Sequence, residues 1–251
     1  MTNKLKYFIG NWKMFGDNSS LKVIKQIYKF RTDFKTGKNK IVICVPNTLI
    51  SFFEKKIKSK FFYIGAQNCH QNPGYGAFTG SVSASMLKKV GAKYVILGHS
   101  ENRESGDTNK IIQEKIKSAL DAKINVIFCF GETLNEKRSK KTFSVIRNQI
   151  LGSVKKNYTI KNIFFAYEPV WSIGTGKTPN VDELKKTFNY IKNEIKKNFK
   201  TRSLPIVLYG GSVNHNNISM FSSISEIDGF LIGGASQSAK KFIDIIKNYY
   251  K

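Results

Sequence analysis

Eight short runs rich in β-branched and aromatic residues recur along the chain, and what lies between them constrains the fold more than any other feature. The runs are Tyr7–Ile9, Ile41–Val45, Phe61–Ile64, Tyr94–Leu97, Asn125–Phe130, Ile163–Ala166, Ile206–Leu208 and Gly229–Ile232. Each is apolar almost throughout, as expected of strands buried on both faces. Between them lie stretches with apolar residues at helical spacing, such as Ile111, Ile112, Lys115, Ile116 and Leu120, or Leu184, Phe188, Ile191 and Ile195. Strict alternation of strand and helix predicts a parallel sheet joined by right-handed crossovers. About eight such pairs, with no Pro- or Ser-rich linker, predict one α/β domain over residues 1–251, closed as a (β/α)8 barrel. A doubly wound open sheet is the alternative. Its G-x-G-x-x-G turn would follow the first strand, where this chain has Gly10-Asn11-Trp12-Lys13 instead.

Composition narrows the function classes. A chain of 251 residues that is 41% hydrophobic can bury one large core, so disorder is excluded as a description of the whole. Lys and Arg number 42 against 17 Asp and Glu, a formal charge of +25. Such an excess can mark nucleic-acid binding. Here the lysines are spread over predicted helices, for example Lys185, Lys186, Lys192, Lys196 and Lys197, with no basic arm of interleaved aromatics. A solvated basic surface is the better reading, and no nucleic-acid partner is expected. Cys44, Cys69 and Cys129 form neither a C-x-x-C pair nor an even set, which favours a reducing, cytoplasmic setting. No run approaches the ~20 apolar residues of a membrane span, so no membrane partner is expected. His70, His99 and His215 lack ligand spacing, and neither metal nor cofactor is expected.

Polar and glycine-rich clusters follow the strand ends: Asn11 and Lys13, Gln67-Asn68, His99-Ser100-Glu101, Gly131-Glu132, Glu168-Pro169, Gly210-Gly211-Ser212 and Gly233-Gly234. In a parallel barrel those ends share one face, the face that carries the active sites of barrel enzymes. The blocks Gly10-Asn11-Trp12-Lys13-Met14, Ala66-Gln67-Asn68-Cys69, Gly76-Ala77-Phe78-Thr79-Gly80, Gly98-His99-Ser100-Glu101, Tyr167-Glu168-Pro169-Val170-Trp171, Ile173-Gly174-Thr175-Gly176-Lys177, Tyr209-Gly210-Gly211-Ser212 and Gly229-Phe230-Leu231-Ile232-Gly233-Gly234 resemble those of the triosephosphate isomerases, single-domain TIM barrels. Their order and spacing span nearly the whole chain. Another phosphate-binding barrel, of the indole-glycerol-phosphate synthase kind, would not need Asn11, Lys13, His99 and Glu168 together.

The resemblance implies a cofactor-free interconversion of dihydroxyacetone phosphate and glyceraldehyde 3-phosphate through an enediolate. Glu168 is then the base that moves a proton between adjacent carbons. His99 is the electrophile at the carbonyl, kept neutral by the amide dipoles of the turn it opens, a tuning known for this family and carried over by resemblance. Lys13 and Asn11 stabilise the developing charge, and Glu101 accompanies Lys13. Gly174, Ser212, Gly233 and Gly234 cradle the phosphate through backbone N–H groups. His70 and His215 are expected in surface loops. Ser172–Gly176 is the expected lid, hinged at 169–171 and 177–179. In the family, Tyr209 holds the closed lid through the amide near position 179. That residue is proline here, so Tyr209 must find another partner.

Two positions depart from the family pattern. Ser81 stands where a Glu is usual and Asn102 where an Arg is usual, side chains that pair between subunits. Losing both avoids stranding one buried charge. A homodimer with a retuned interface is therefore expected, with Gly74–Gly80 carrying Thr79 into the neighbouring pocket.

Overall fold

The structure, a computed structural model, describes residues 4–34, 38–57, 59–158, 160–199 and 204–251. Met1–Asn3 of the N-terminal stretch lie outside the described residues. The strands are β1 (Lys6–Asn11), β2 (Asn39–Cys44), β3 (Phe62–Ala66), β4 (Tyr94–Leu97), β5 (Asn125–Phe130), β6 (Ile163–Tyr167), β7 (Ile206–Tyr209) and β8 (Gly229–Ile232). All pair in parallel and in chain order, and β8 returns to β1 with Tyr7 opposite Gly229 and Gly10 opposite Ile232. The expected (β/α)8 barrel is thus present. β4, β5 and β8 have the bounds read from the sequence, and the other five differ by one or two residues at one or both ends; at β1 and β2 apolar runs do not register the polar residues that begin the strands, Lys6 and Asn39.

Alternation along each strand divides the core in two. Tyr7, Ile9, Val42, Cys44, Tyr94, Ile96, Ile127, Cys129, Phe164, Ala166, Leu208 and Leu231 fill the barrel. Their neighbours, such as Phe8, Val126, Phe128 and Phe165, face outward into the layer beneath the helices. Inside, the Phe164 ring meets Tyr7 edge-on at 4.8 Å and Tyr94 at 5.4 Å. The helix Val181–Asn198 starts with a capping box between Asn180 and Glu183 and buries Leu184, Phe188, Ile191 and Ile195, the stripe its sequence predicts.

One lysine of the supposed surface set is placed differently. Lys192 reaches under the barrel to Asp228, 2.9 Å away, and is half-buried. Asp228 also pairs with Lys4 and accepts the Val207 N–H at 2.9 Å. Beside it, the fully buried Lys6 donates to the Ile227 carbonyl. These groups close the N-terminal end of the barrel, away from the strand ends that carry the site.

Burial, reinforced by Lys4, pulls the Lys6 ammonium down to about 8 from 10.5, although Asp228 opposes the shift. Between those values the unfolded chain holds a proton that the folded one has released, so stability rises with pH in that window. Urea unfolding of wild type and Lys6→Met is expected to show wild type gaining about 1–2 kcal/mol on the variant from pH 8 to 10.5. A pH-independent difference would refute the assignment.

Candidate active site

A cavity of about 270 Å³ opens at the C-terminal ends of the strands and is lined by Asn11, Lys13, His99, Glu168, Gly174, Ser212, Gly233 and Gly234. Every cradle and charged residue expected from the sequence meets there except Glu101, which lies outside and touches the cavity through its ion pair with Lys13. Neither His70 nor His215 lines it. His70 stacks on Phe78 at 4.3 Å and is half-buried, not a plain surface residue, while His215 is exposed.

Local backbone needs set these positions. Asn11 ends β1, and its Oδ1 accepts the Lys13 N–H at 3.0 Å. Lys13 adopts a φ of 57°, a left-handed conformation that costs a residue with a Cβ about 1 kcal/mol. The neighbouring Trp12 is fully buried and anchored at both ends. Its indole N–H donates to the Ser236 carbonyl at 2.9 Å, and its own carbonyl accepts from Gln237 Nε2 at 2.8 Å. The end of β1 is thereby tied to the turn Gly234–Gln237 after β8.

His99 caps the helix Ser100–Glu104, and its Nδ1 accepts the Glu101 N–H at 3.2 Å. An accepting Nδ1 places the ring proton on Nε2, which faces Glu168 Oε1 at 3.6 Å. Gly98 before it has a φ of 74° and lies where a Cβ would come within 2.9 Å of the Cys129 carbonyl. Glycine there allows His99 to turn inward.

Glu168 follows β6, is almost fully buried, and is anchored by its N–H to the Phe130 carbonyl at 2.8 Å. Burial pushes its carboxyl up, while His99, a hydrogen bond from the Cys129 thiol and Lys13 pull it down. A carboxylate held this way, dry but within reach of a cation and an imidazole, is suited to removing a proton from carbon.

The cradle differs from expectation in one respect. The Ser212 N–H is not free, since it donates to Ser172 Oγ at 3.1 Å. Sequence reasoning also passed over the cavity's apolar wall of Ile173, Val213 and Leu231, and the role of Glu132. Buried Glu132 accepts from the Tyr167 hydroxyl and from Trp171 Nε1 at 2.9 Å, and so anchors Trp171, the residue before the segment expected to form the lid. Its position after β5 was the available signal.

Fold and site together define a (β/α)8 barrel whose carboxyl-end cavity sets a buried carboxylate and an imidazole beside glycine-rich loops. The profile of the triosephosphate isomerase family matches residues 6–249. The triosephosphate isomerase of Brucella abortus is 37% identical over 242 residues, covering 96% of this chain and 95% of that one. That of Hydrogenovibrio crunogenus is 41% identical over 244 residues, covering 95% and 96%. The crystal structure of the Bartonella henselae triosephosphate isomerase superposes with a TM-score of 0.89 at 35% identity, covering 98% of this chain and 99% of that one. The chain belongs to the triosephosphate isomerase family, and is an aldose–ketose isomerase of triose phosphates.

Gly210 lies under the Glu168 side chain, where a Cβ would come within 2.6 Å of its Cγ. Gly210→Ala is therefore expected to displace the carboxylate and lower kcat about 10²-fold while the melting temperature stays nearly constant. Full activity in that variant would show that the carboxylate position is not critical.

Proposed function

We propose that Glu168 is the base of the isomerisation, with His99, Lys13 and Asn11 stabilising the oxygens. The supporting observation is that Glu168 Oε1 and His99 Nε2 face one another at 3.6 Å in the cavity that also holds Lys13 and the glycine loops. Bound dihydroxyacetone phosphate would present its C1 proton to Glu168. Carboxylate oxygen takes the proton, electrons move onto the carbonyl oxygen, and an enediolate forms. His99 Nε2–H donates to the oxygens, and the Lys13 ammonium and Asn11 amide spread the charge. Glu168 then returns the proton to the adjacent carbon while His99 Nε2 gives its proton to O2 and takes the O1 hydroxyl proton in exchange, giving glyceraldehyde 3-phosphate with the imidazole restored. Glu101 orients Lys13 through their ion pair. The phosphate sits against Gly174, Gly233 and Gly234, with the Ser212 hydroxyl adding a donor. This reaction belongs to glycolysis and gluconeogenesis.

We infer further that the protein works as a cytoplasmic homodimer. Tyr75, Phe78 and Met86 are exposed large apolar side chains that line one shallow pocket, and Met14 and Phe15 are exposed as well, apolar surface that a partner subunit would cover. Ser81 is exposed as well, so no carboxylate there awaits a partner. Three buried free thiols suit a reducing compartment.

Glu168→Gln keeps the shape and removes the base, so kcat should fall about 10²–10⁴-fold with little change in affinity for inorganic phosphate. An equal loss in affinity would contradict the role. Because burial raises the carboxyl, the acid limb of kcat/KM in wild type is expected above the ordinary value of 4.5, with activity lost as pH falls through it. A limb at or below 4.5 would contradict the buried setting. Sedimentation velocity at micromolar concentration should give a dimer whose stability responds weakly to salt, and monomers throughout would refute the assembly.

A further inference from the structure

The first stem of the lid carries a hydroxyl that reaches each segment bordering the lid. Ser172 ends the turn Val170–Ser172 and is fully buried. Its Oγ lies 2.6 Å from the Lys177 carbonyl, 3.1 Å from the Ser212 nitrogen and 3.3 Å from the Tyr209 hydroxyl. A carbonyl can only accept, so the single Ser172 proton goes to Lys177. Two lone pairs remain, and the Ser212 N–H and the Tyr209 O–H donate to them. All three hydrogen-bonding valences of one hydroxyl are then used. They join the two stems of the lid to each other and to the loop after β7.

Two further observations point to the same group. Pro179, buried at the end of the second stem, has no N–H for the Tyr209 hydroxyl to hold. Among the described residues, the hydrogen bond of that hydroxyl to the lid is the one with Ser172. Gly211, between the two β7-loop partners, lies where a Cβ would come within 2.3 Å of the Tyr209 hydroxyl oxygen and 2.7 Å of Ser172 Oγ. The chain therefore has no side chain at the point where these hydroxyls meet.

We propose that Ser172 is a positioning residue for the isomerisation, a latch whose hydroxyl sets the lid stems against the loop carrying Ser212. Ile173 and Gly174, the next two residues, line the cavity directly, so the latch fixes how the lid covers bound substrate. The role rests on the cavity being the isomerase site. Ser172 acts through Tyr209, Ser212 and the lid and does not itself touch the reacting atoms. Loosening it exposes the enediolate to water. An exposed enediolate breaks its C–O bond to phosphate, expelling inorganic phosphate and leaving methylglyoxal after a proton shift, with no external oxidant or reductant.

The test compares wild type, Ser172→Ala, Tyr209→Phe and the double variant by steady-state isomerisation in both directions, with released inorganic phosphate measured in the same reactions. Ser172→Ala should lower kcat/KM about five- to tenfold, the scale of one or two lost hydrogen bonds, and raise phosphate released per isomerisation severalfold. Tyr209→Phe should cost less. The double variant should be no worse than Ser172→Ala, because the tyrosine acts on the lid through that serine. Unchanged kcat/KM and phosphate release in Ser172→Ala would overturn the latch. So would a Tyr209→Phe loss that persists in full in the Ser172→Ala background. A lowered melting temperature with an unchanged phosphate ratio would reduce Ser172 to a packing role and also overturn it. Wild type inactive in the same assay would instead sink the isomerase reading, and the latch with it.

Discussion

Everything in this protein depends on the pairing of β8 with β1. A parallel strand has amide and carbonyl groups to satisfy on both sides, and an open sheet would leave two edges unpaired. Closure removes both edges. It also makes all eight carboxyl ends converge on one rim, so side chains more than 200 positions apart in sequence become neighbours there. Trp12 bonding to Ser236 and Gln237 is the local form of that constraint. The barrel interior is already full of side chains, which leaves the rim as the place for a cavity.

The two ends of the barrel handle buried charge differently. At the amino end Asp228 pairs with Lys4 and Lys192, and Lys6 donates to the Ile227 carbonyl. At the carboxyl end Glu168 is buried with partners that do not fully compensate it, and burial raises its carboxyl. Its nearest histidine nitrogen is 3.6 Å away, beyond hydrogen-bond length. That incomplete pairing is what the proposed role of Glu168 as base draws on. Glycines at 131 and 210 make the burial sterically feasible, since a Cβ at either would strike Glu168 itself.

The lid illustrates substitution within a shared architecture. Proline at 179 removes one backbone donor, and a serine at 172 supplies a side-chain partner from the opposite stem. The Ser212 amide, expected to face an anion, is engaged by the same serine. The contacts of this segment with Tyr209 and the loop after β7 thus run through one side-chain hydroxyl.

Sequence by itself determined the order of elements, because eight apolar runs with helical stretches between them admit few parallel topologies. It also determined which residues would stand at the strand ends, and Asn11, Lys13, His99, Glu168 and the three cradle glycines do line one cavity. Local pattern carries that information because strand polarity and period are local properties. What tertiary structure alone decided are the pairings between distant segments. Lys192 reads as a surface lysine on a helical face, yet only the position of Asp228 at the end of β7's crossover turns it inward. Glu132 reads as one of several loop carboxylates, and its anchoring of Trp171 depends on β5 and β6 lying side by side. Ser172 reads as a small lid residue, and its three partners come together only when the lid and the β7 loop share a space. Hydrogen bonds need the separation between such segments set to within a few tenths of an ångström, and no periodicity in the chain encodes those distances.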